Sequence, residues 1–89
     1  MKSLKIIVTG RVQGVFFRAS AKQMVDHMQV LGYAKNLPNG EVEVLAQGDD
    51  SAVDTLVRWL HHGPDMAHVT HVSILATDLR SDLTDFKTL

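Results

Sequence analysis

The stretch Leu4-Lys5-Ile6-Ile7-Val8-Thr9-Gly10-Arg11-Val12-Gln13-Gly14-Val15-Phe16-Phe17-Arg18 changes character halfway along. Leu4 to Thr9 is short, apolar and β-branched and stops at a glycine, so it predicts a strand buried on both faces or nearly so. From Phe17 onward the apolar residues recur at Ala21, Met24, Val25, Met28 and Leu31, spacings of three and four that put one stripe on an amphipathic helix ending near Gly32. A strand therefore runs through a loop with two glycines into a helix.

Downstream, two short β-type segments, Tyr33 to Leu37 and Glu41 to Gln47, flank Pro38-Asn39-Gly40. An Asn-Gly pair between such runs signals a hairpin. In the second run Val42, Val44 and Ala46 share one side and Glu41, Glu43 and Gln47 the other, the alternation of a half-buried strand. Ser51 with Asp54 resembles a capping box opening a second helix, whose stripe is Val53, Leu56, Val57 and Leu60 and which Gly63-Pro64 ends. Val69 to Ala76 reads as a fourth strand, and Leu83 to Leu89 as an edge strand. The order βαββαβ predicts an α+β fold, a two-layer ferredoxin-like sandwich with an antiparallel sheet and both helices on one face. With no internal repeat or linker, residues 1–89 are expected to form a single domain.

A chain of 89 residues supports one core, burying roughly 60–65% of its unfolded surface. Nine basic against ten acidic residues give a net charge of -1, which lacks the basic excess of nucleic-acid or membrane-surface binders. An anionic ligand must therefore be held locally. The absence of cysteine excludes disulfides and thiolate zinc sites and suits a reducing cytoplasm. No apolar stretch is long enough for a signal peptide or a membrane span.

The ferredoxin-like order hosts many activities, so function has to come from a site. The loop from Gly10 to Arg18 can present backbone N–H groups, a helix dipole and the planar guanidinium of Arg18 to an anion. By spacing alone it reads equally well as a tight strand-to-helix turn with a solvated arginine. It lacks the Gly-Lys-Ser/Thr of a P-loop and the third glycine of a dinucleotide loop.

Gly10 to Arg18, GRVQGVFFR, closely resembles the signature of the acylphosphatase family. Gly32 to Glu43, GYAKNLPNGEVE, is similar to that family's second motif, and Gly63-Pro64 with Ala67, Val69 and Val72 to its C-terminal pattern. The resemblance spans most of the chain and implies hydrolysis of the carboxyl–phosphate mixed anhydride of acyl phosphates. It assigns phosphate binding to Arg18 and the positioning of the attacking water to Asn36, with the loop amides of Val12, Gln13, Gly14, Val15 and Phe16 around the phosphate. It further implies no metal, no cofactor and no covalent intermediate. The expected ligands are a small acyl phosphate and, as competing anions, inorganic phosphate or sulfate; a monomer acting in the cytoplasm is expected. Two departures concern packing: Met28-Gln29-Val30 stands where relatives commonly carry Leu-Gly-Leu, and Tyr33 where a tryptophan is common.

Two rival readings share this order of elements. An RNA-recognition domain needs aromatics on its central strands, and Glu41 to Gln47 has none. A non-hydrolytic domain could use the same cradle to bind a phosphorylated or carbamoylated ligand, as acylphosphatase-like domains in larger maturation enzymes do. The presence of both Arg18 and Asn36 favours the enzyme. His61 and His62 are adjacent and diverge on a helix, and His68 and His71 would face opposite ways on a strand, so the histidines read as surface residues rather than metal ligands. Arg11 reads as an outward-pointing loop arginine, and Trp59 as half-buried packing.

Overall fold

The structure, a computed structural model, describes residues 1–89. The chain runs β1 (Lys2–Arg11), α1 (Phe17–Val25), β2 (Leu31–Asn36), β3 (Val42–Gly48), α2 (Asp50–Leu60), β4 (His68–Ala76) and β5 (Phe86–Thr88). The strands form one sheet in the order β4-β1-β3-β2-β5. The four long strands pair antiparallel, whereas β5 pairs parallel with β2, so the sheet is mixed rather than wholly antiparallel.

Register decides which face is apolar. Ile6 lies opposite Val44, Val8 opposite Val42, and Ala34 opposite Val44 on the other flank of β3. These residues are fully buried and take the inner faces of both helices: Phe17, Ala21 and Val25 of α1 and Val53, Leu56 and Leu60 of α2. A single apolar cluster joins sheet and helices. Between the helices the Phe17 ring meets that of half-buried Trp59, with centroids 5.5 Å apart and planes at 51°.

The far face of the sheet is not simply solvated. The segment after β4 turns back across it: the Thr77 N–H donates to Ser3 O, Gln47 Nε2 donates to Arg80 O, and the Arg80 N–H donates to Gln47 Oε1. Ser3, Leu45 and Gln47 are buried beneath this strap. Gln47, expected on a solvent face, is thus covered, its amide wholly committed to one backbone unit. Tyr33 also lies on this side; it donates to Glu43 Oε2 at 2.6 Å, and burial with that bond pushes its hydroxyl up to about 12.

Two local expectations need correction. Helix α1 ends at Val25 rather than near Gly32, because the chain tightens (Asp26 N–H to Gln23 O, Met28 N–H to Val25 O) and then reverses at Gln29, where φ is +54°. Met28 and Val30 still pack on the core from this turn, which is why the apolar periodicity outlasts the helix. Helix α2 starts two residues earlier than the Ser51–Asp54 box implies. Its N-cap is Asp49 without a side-chain capping bond, the Ser51 carbonyl accepts from Thr55 Oγ1, and Asp54 pairs with Lys2 at 2.5 Å. The hairpin turn spans residues 37–41, closed by Leu37 N–H to Glu41 O and Gly40 N–H to Leu37 O.

One irregularity positions the site. The β1–β4 register shifts between Thr9 and Gly10, and Gly10 takes φ +128°. This bulge turns the chain out of the sheet. A Cβ there would lie 2.2 Å from His68 O and 2.9 Å from Thr70 N, both backbone atoms. Gly10→Ala should therefore lose at least about 2 kcal/mol of unfolding free energy. Gln29→Gly, which relieves a left-handed residue with a side chain, should gain about 1 kcal/mol. Urea unfolding of both variants checks this; equal stabilities would contradict it.

Candidate active site

Between the bulge and α1 the chain curls. Gly14 has φ +75° and Phe16 φ +63°, left-handed conformations that are cheap for glycine and costly for an aromatic residue. Val12 and Val15 point into the core, 1% and 5% exposed, and peg the loop down, while Phe16 stands 80% exposed. The backbone N–H groups of Val12, Gln13, Gly14, Val15 and Phe16 donate to no other backbone group. Left-handed residues bend a run of such amides into a concavity suited to an anion. The N-terminus of α1 adds its dipole from the same side.

This concavity opens into a cavity of about 320 Å³ lined by Val12, Gly14, Phe16, Phe17, Arg18, Ala19, Asn36 and Thr88. Arg18 and Asn36, far apart in sequence, thus meet at one cavity, each half-buried. Of the loop residues expected around the anion, Val12, Gly14 and Phe16 line it, whereas Gln13 and Val15 contribute no lining. Gln13 turns its side chain to the β2–β3 hairpin, and Val15 sits in the core.

Two elements aim the functional side chains. One guanidinium nitrogen of Arg18 donates to Leu89 O, and one helical turn later Lys22 Nζ donates to Phe86 O at 3.0 Å. The Leu89 N–H in turn donates to Ala34 O. The arginine is therefore braced against the chain following β5, with further N–H donors left over from the five a guanidinium carries. Asn36 is the last residue of β2, opposite Val42 in β3. The importance of β5 and of the Leu89 carbonyl was missed in the sequence, because a three-residue strand carries almost no periodic signal.

The cavity lining holds no carboxylate, imidazole or thiolate, so its one formal charge is that of Arg18. All five histidines and Arg11 are exposed. Beside the site, Glu41 accepts from Thr9 Oγ1 at 2.8 Å and from Asn39 Nδ2 at 2.7 Å. The bond from Thr9, then that from Asn39, holds its carboxyl below the usual carboxylate range.

The acylphosphatase family model matches residues 4–88. A Hahella chejuensis acylphosphatase is 58% identical over 65 residues, covering 73% of this chain and 69% of that protein. One from Methylococcus capsulatus is 39% identical over 89 residues, 100% of this chain and 97% of its own length. The crystal structure of acylphosphatase from Bacillus subtilis superposes with a TM-score of 0.94 at 32% identity, covering 100% of this chain and 99% of the other.

Because the Glu41 carboxyl is held low, the ionised form contributes stability that is complete above the ordinary glutamate value of about 4.3 and is lost as pH falls through the depressed one. The stability gap between wild type and Thr9→Val should therefore shrink as pH drops from 6 to about 3; a constant gap across that range would contradict the assignment.

The family match, the similarity over the full chain to the Methylococcus protein and the shared fold agree with the cavity just described: the chain belongs to the acylphosphatase family.

Proposed function

We propose that the protein hydrolyses acyl phosphates to a carboxylate and inorganic phosphate, with the phosphoryl group held by the amides of residues 12–16 and by Arg18, and with water oriented by Asn36. The observation that carries this is the meeting of Arg18 and Asn36 at one cavity also lined by Val12, Gly14 and Phe16, from a loop whose backbone N–H groups have no backbone partners.

An acyl phosphate already has a good leaving group, a carboxylate. The protein therefore has to align a water in line with the breaking P–O bond and to stabilise charge on the equatorial phosphoryl oxygens. The amides and guanidinium supply fixed positive ends of dipoles and one full charge, preorganised so that little rearrangement accompanies the reaction. The Asn36 side chain can donate and accept, so it can hold a water at a set angle, although an amide is too weak to remove its proton. As the water oxygen bonds to phosphorus and the acyl oxygen departs with the bonding pair, the water's proton passes to the phosphate or to the leaving carboxylate. No metal is needed in this scheme, because Arg18 and the amides provide the electrostatic stabilisation. The site is assembled within one chain, consistent with action as a monomer, and a cysteine-free composition suits the cytoplasm. Inorganic phosphate and sulfate should compete for the same amides.

Arg18 grips phosphate in substrate and transition state alike, whereas Asn36 matters once water attacks. Arg18→Ala should lose a few hundredfold in rate, on the order of 3–4 kcal/mol, and bind inorganic phosphate more weakly; Arg18→Lys should restore little of either. Asn36→Ala should cut kcat steeply while phosphate inhibits almost as in wild type. Steady-state kinetics on an aryl acyl phosphate with phosphate titration checks this. Near-normal turnover of Asn36→Ala, or unchanged phosphate binding by Arg18→Ala, would overturn the division of roles.

A further inference from the structure

Gln13 sits in the middle of the cradle loop, yet its side chain leaves the cavity and is only half exposed. Its Nε2 donates twice, to Leu37 O at 2.8 Å and to Glu41 O at 2.9 Å. Those two carbonyls are the two ends of the hairpin turn. Glu41 O also accepts from the Leu37 N–H at 2.8 Å, and Leu37 O also accepts from the Gly40 N–H at 3.1 Å. One primary amide therefore plugs the mouth of the turn, spending both of its hydrogens there. The residue before Leu37 is Asn36.

We propose that Gln13 is a positioning residue that fixes the spacing between the phosphate and the attacking water. Its backbone belongs to the phosphate cradle and its side chain holds the hairpin that begins directly after Asn36. This inference rests on the reading of Asn36 as the residue that orients water. The two halves of the site come from separate parts of the fold, the loop leading out of β1 and the end of β2, with β3 standing between their strands. In-line attack needs them in fixed register, and a misplacement of about 1 Å can cost about a hundredfold in rate. The contact from Thr9 to Glu41 does not do the same task, because it reaches a side chain and leaves the backbone of the turn unrestrained. Gln13 alone joins cradle to turn backbone through side-chain donors.

Gln13→Met keeps length and volume and removes both donors. It should lower kcat about ten- to a hundredfold while inhibition by inorganic phosphate stays near the wild-type level, because the cradle amides and Arg18 are untouched. Gln13→Glu sets a carboxylate against two carbonyl oxygens and should be slower still at neutral pH. Relative to wild type it should recover as pH falls, since the protonated carboxyl regains one donated bond. In an Asn36→Ala background, assayed at high enzyme concentration, Gln13→Met should add little further loss, the non-additivity expected of residues acting through one another.

All variants are measured on the full chain with folding checked by circular dichroism. Should Gln13→Met fold poorly, the pH recovery of Gln13→Glu decides. Unchanged kcat in Gln13→Met beside a slow Asn36→Ala would overturn the role of Gln13 alone. So would an equal loss of rate and phosphate affinity, a fully additive double variant, or a pH profile of Gln13→Glu parallel to wild type. Normal turnover in Asn36→Ala would overturn the reading of Asn36, and the role of Gln13 with it.

Discussion

A run of backbone N–H groups with no backbone partner is a structural liability, since unpaired donors withdrawn from water cost free energy and an unpaired loop tends to collapse onto itself. The loop of residues 12–16 is held in that state, and most of what is unusual in the fold keeps it so. The Gly10 bulge steers β1 away from its partner strand at the right residue. Val12 and Val15 sink into the core on either side of Gly14. Phe16 accepts a left-handed backbone that its aromatic side chain disfavours, and Gln13 ties the loop to a hairpin. A chain of net charge -1 thus carries, without a basic surface, one concavity where the positive ends of peptide dipoles and a single braced guanidinium lie side by side.

The rest of the sandwich serves as a rigid frame. Ile6 and Val8 of β1, Ala34 of β2 and Val42, Val44 and Ala46 of β3 are fully buried on the helix-facing side, which ties the two strands that end at the site to the strand between them. On the opposite side the strap from Thr77 to Asp85 covers Ser3, Leu45 and Gln47 and delivers β5 to the far edge. There β5 provides the carbonyl oxygen of Phe86 to Lys22, and the residue after it that of Leu89 to Arg18. A segment remote in sequence from the first motif thereby orients its arginine.

Much of this was legible in the residues. Period-two and period-three-to-four patterns gave the six main elements, and the two motifs gave Arg18 and Asn36, which the fold brings to one cavity. The failures have physical causes. Helix α1 is shorter than its periodicity suggests because Met28 and Val30 pack from a turn as they would from a helix, and the left-handed residue that ends it is Gln29, not a glycine that would have marked the stop. Burial of Gln47 was invisible because its partner is the backbone of Arg80, which any residue could supply. The parallel pairing of β5 depends on where the strap lands, a long-range outcome that a three-residue strand cannot encode. The side-chain partners of Gln13, the carbonyls of Leu37 and Glu41, are again backbone atoms without a sequence signature.

The account stands on recognition of the phosphoryl end of the substrate, with the water aimed at phosphorus and the acyl group left as the departing partner. Hydrolysis of an acyl phosphate by the purified protein in water enriched in oxygen-18 tests that directly, because the label marks the atom attacked. The predicted result is one labelled oxygen in inorganic phosphate and none in the carboxylate; label in the carboxylate would mean attack at the carbonyl carbon and would contradict the account.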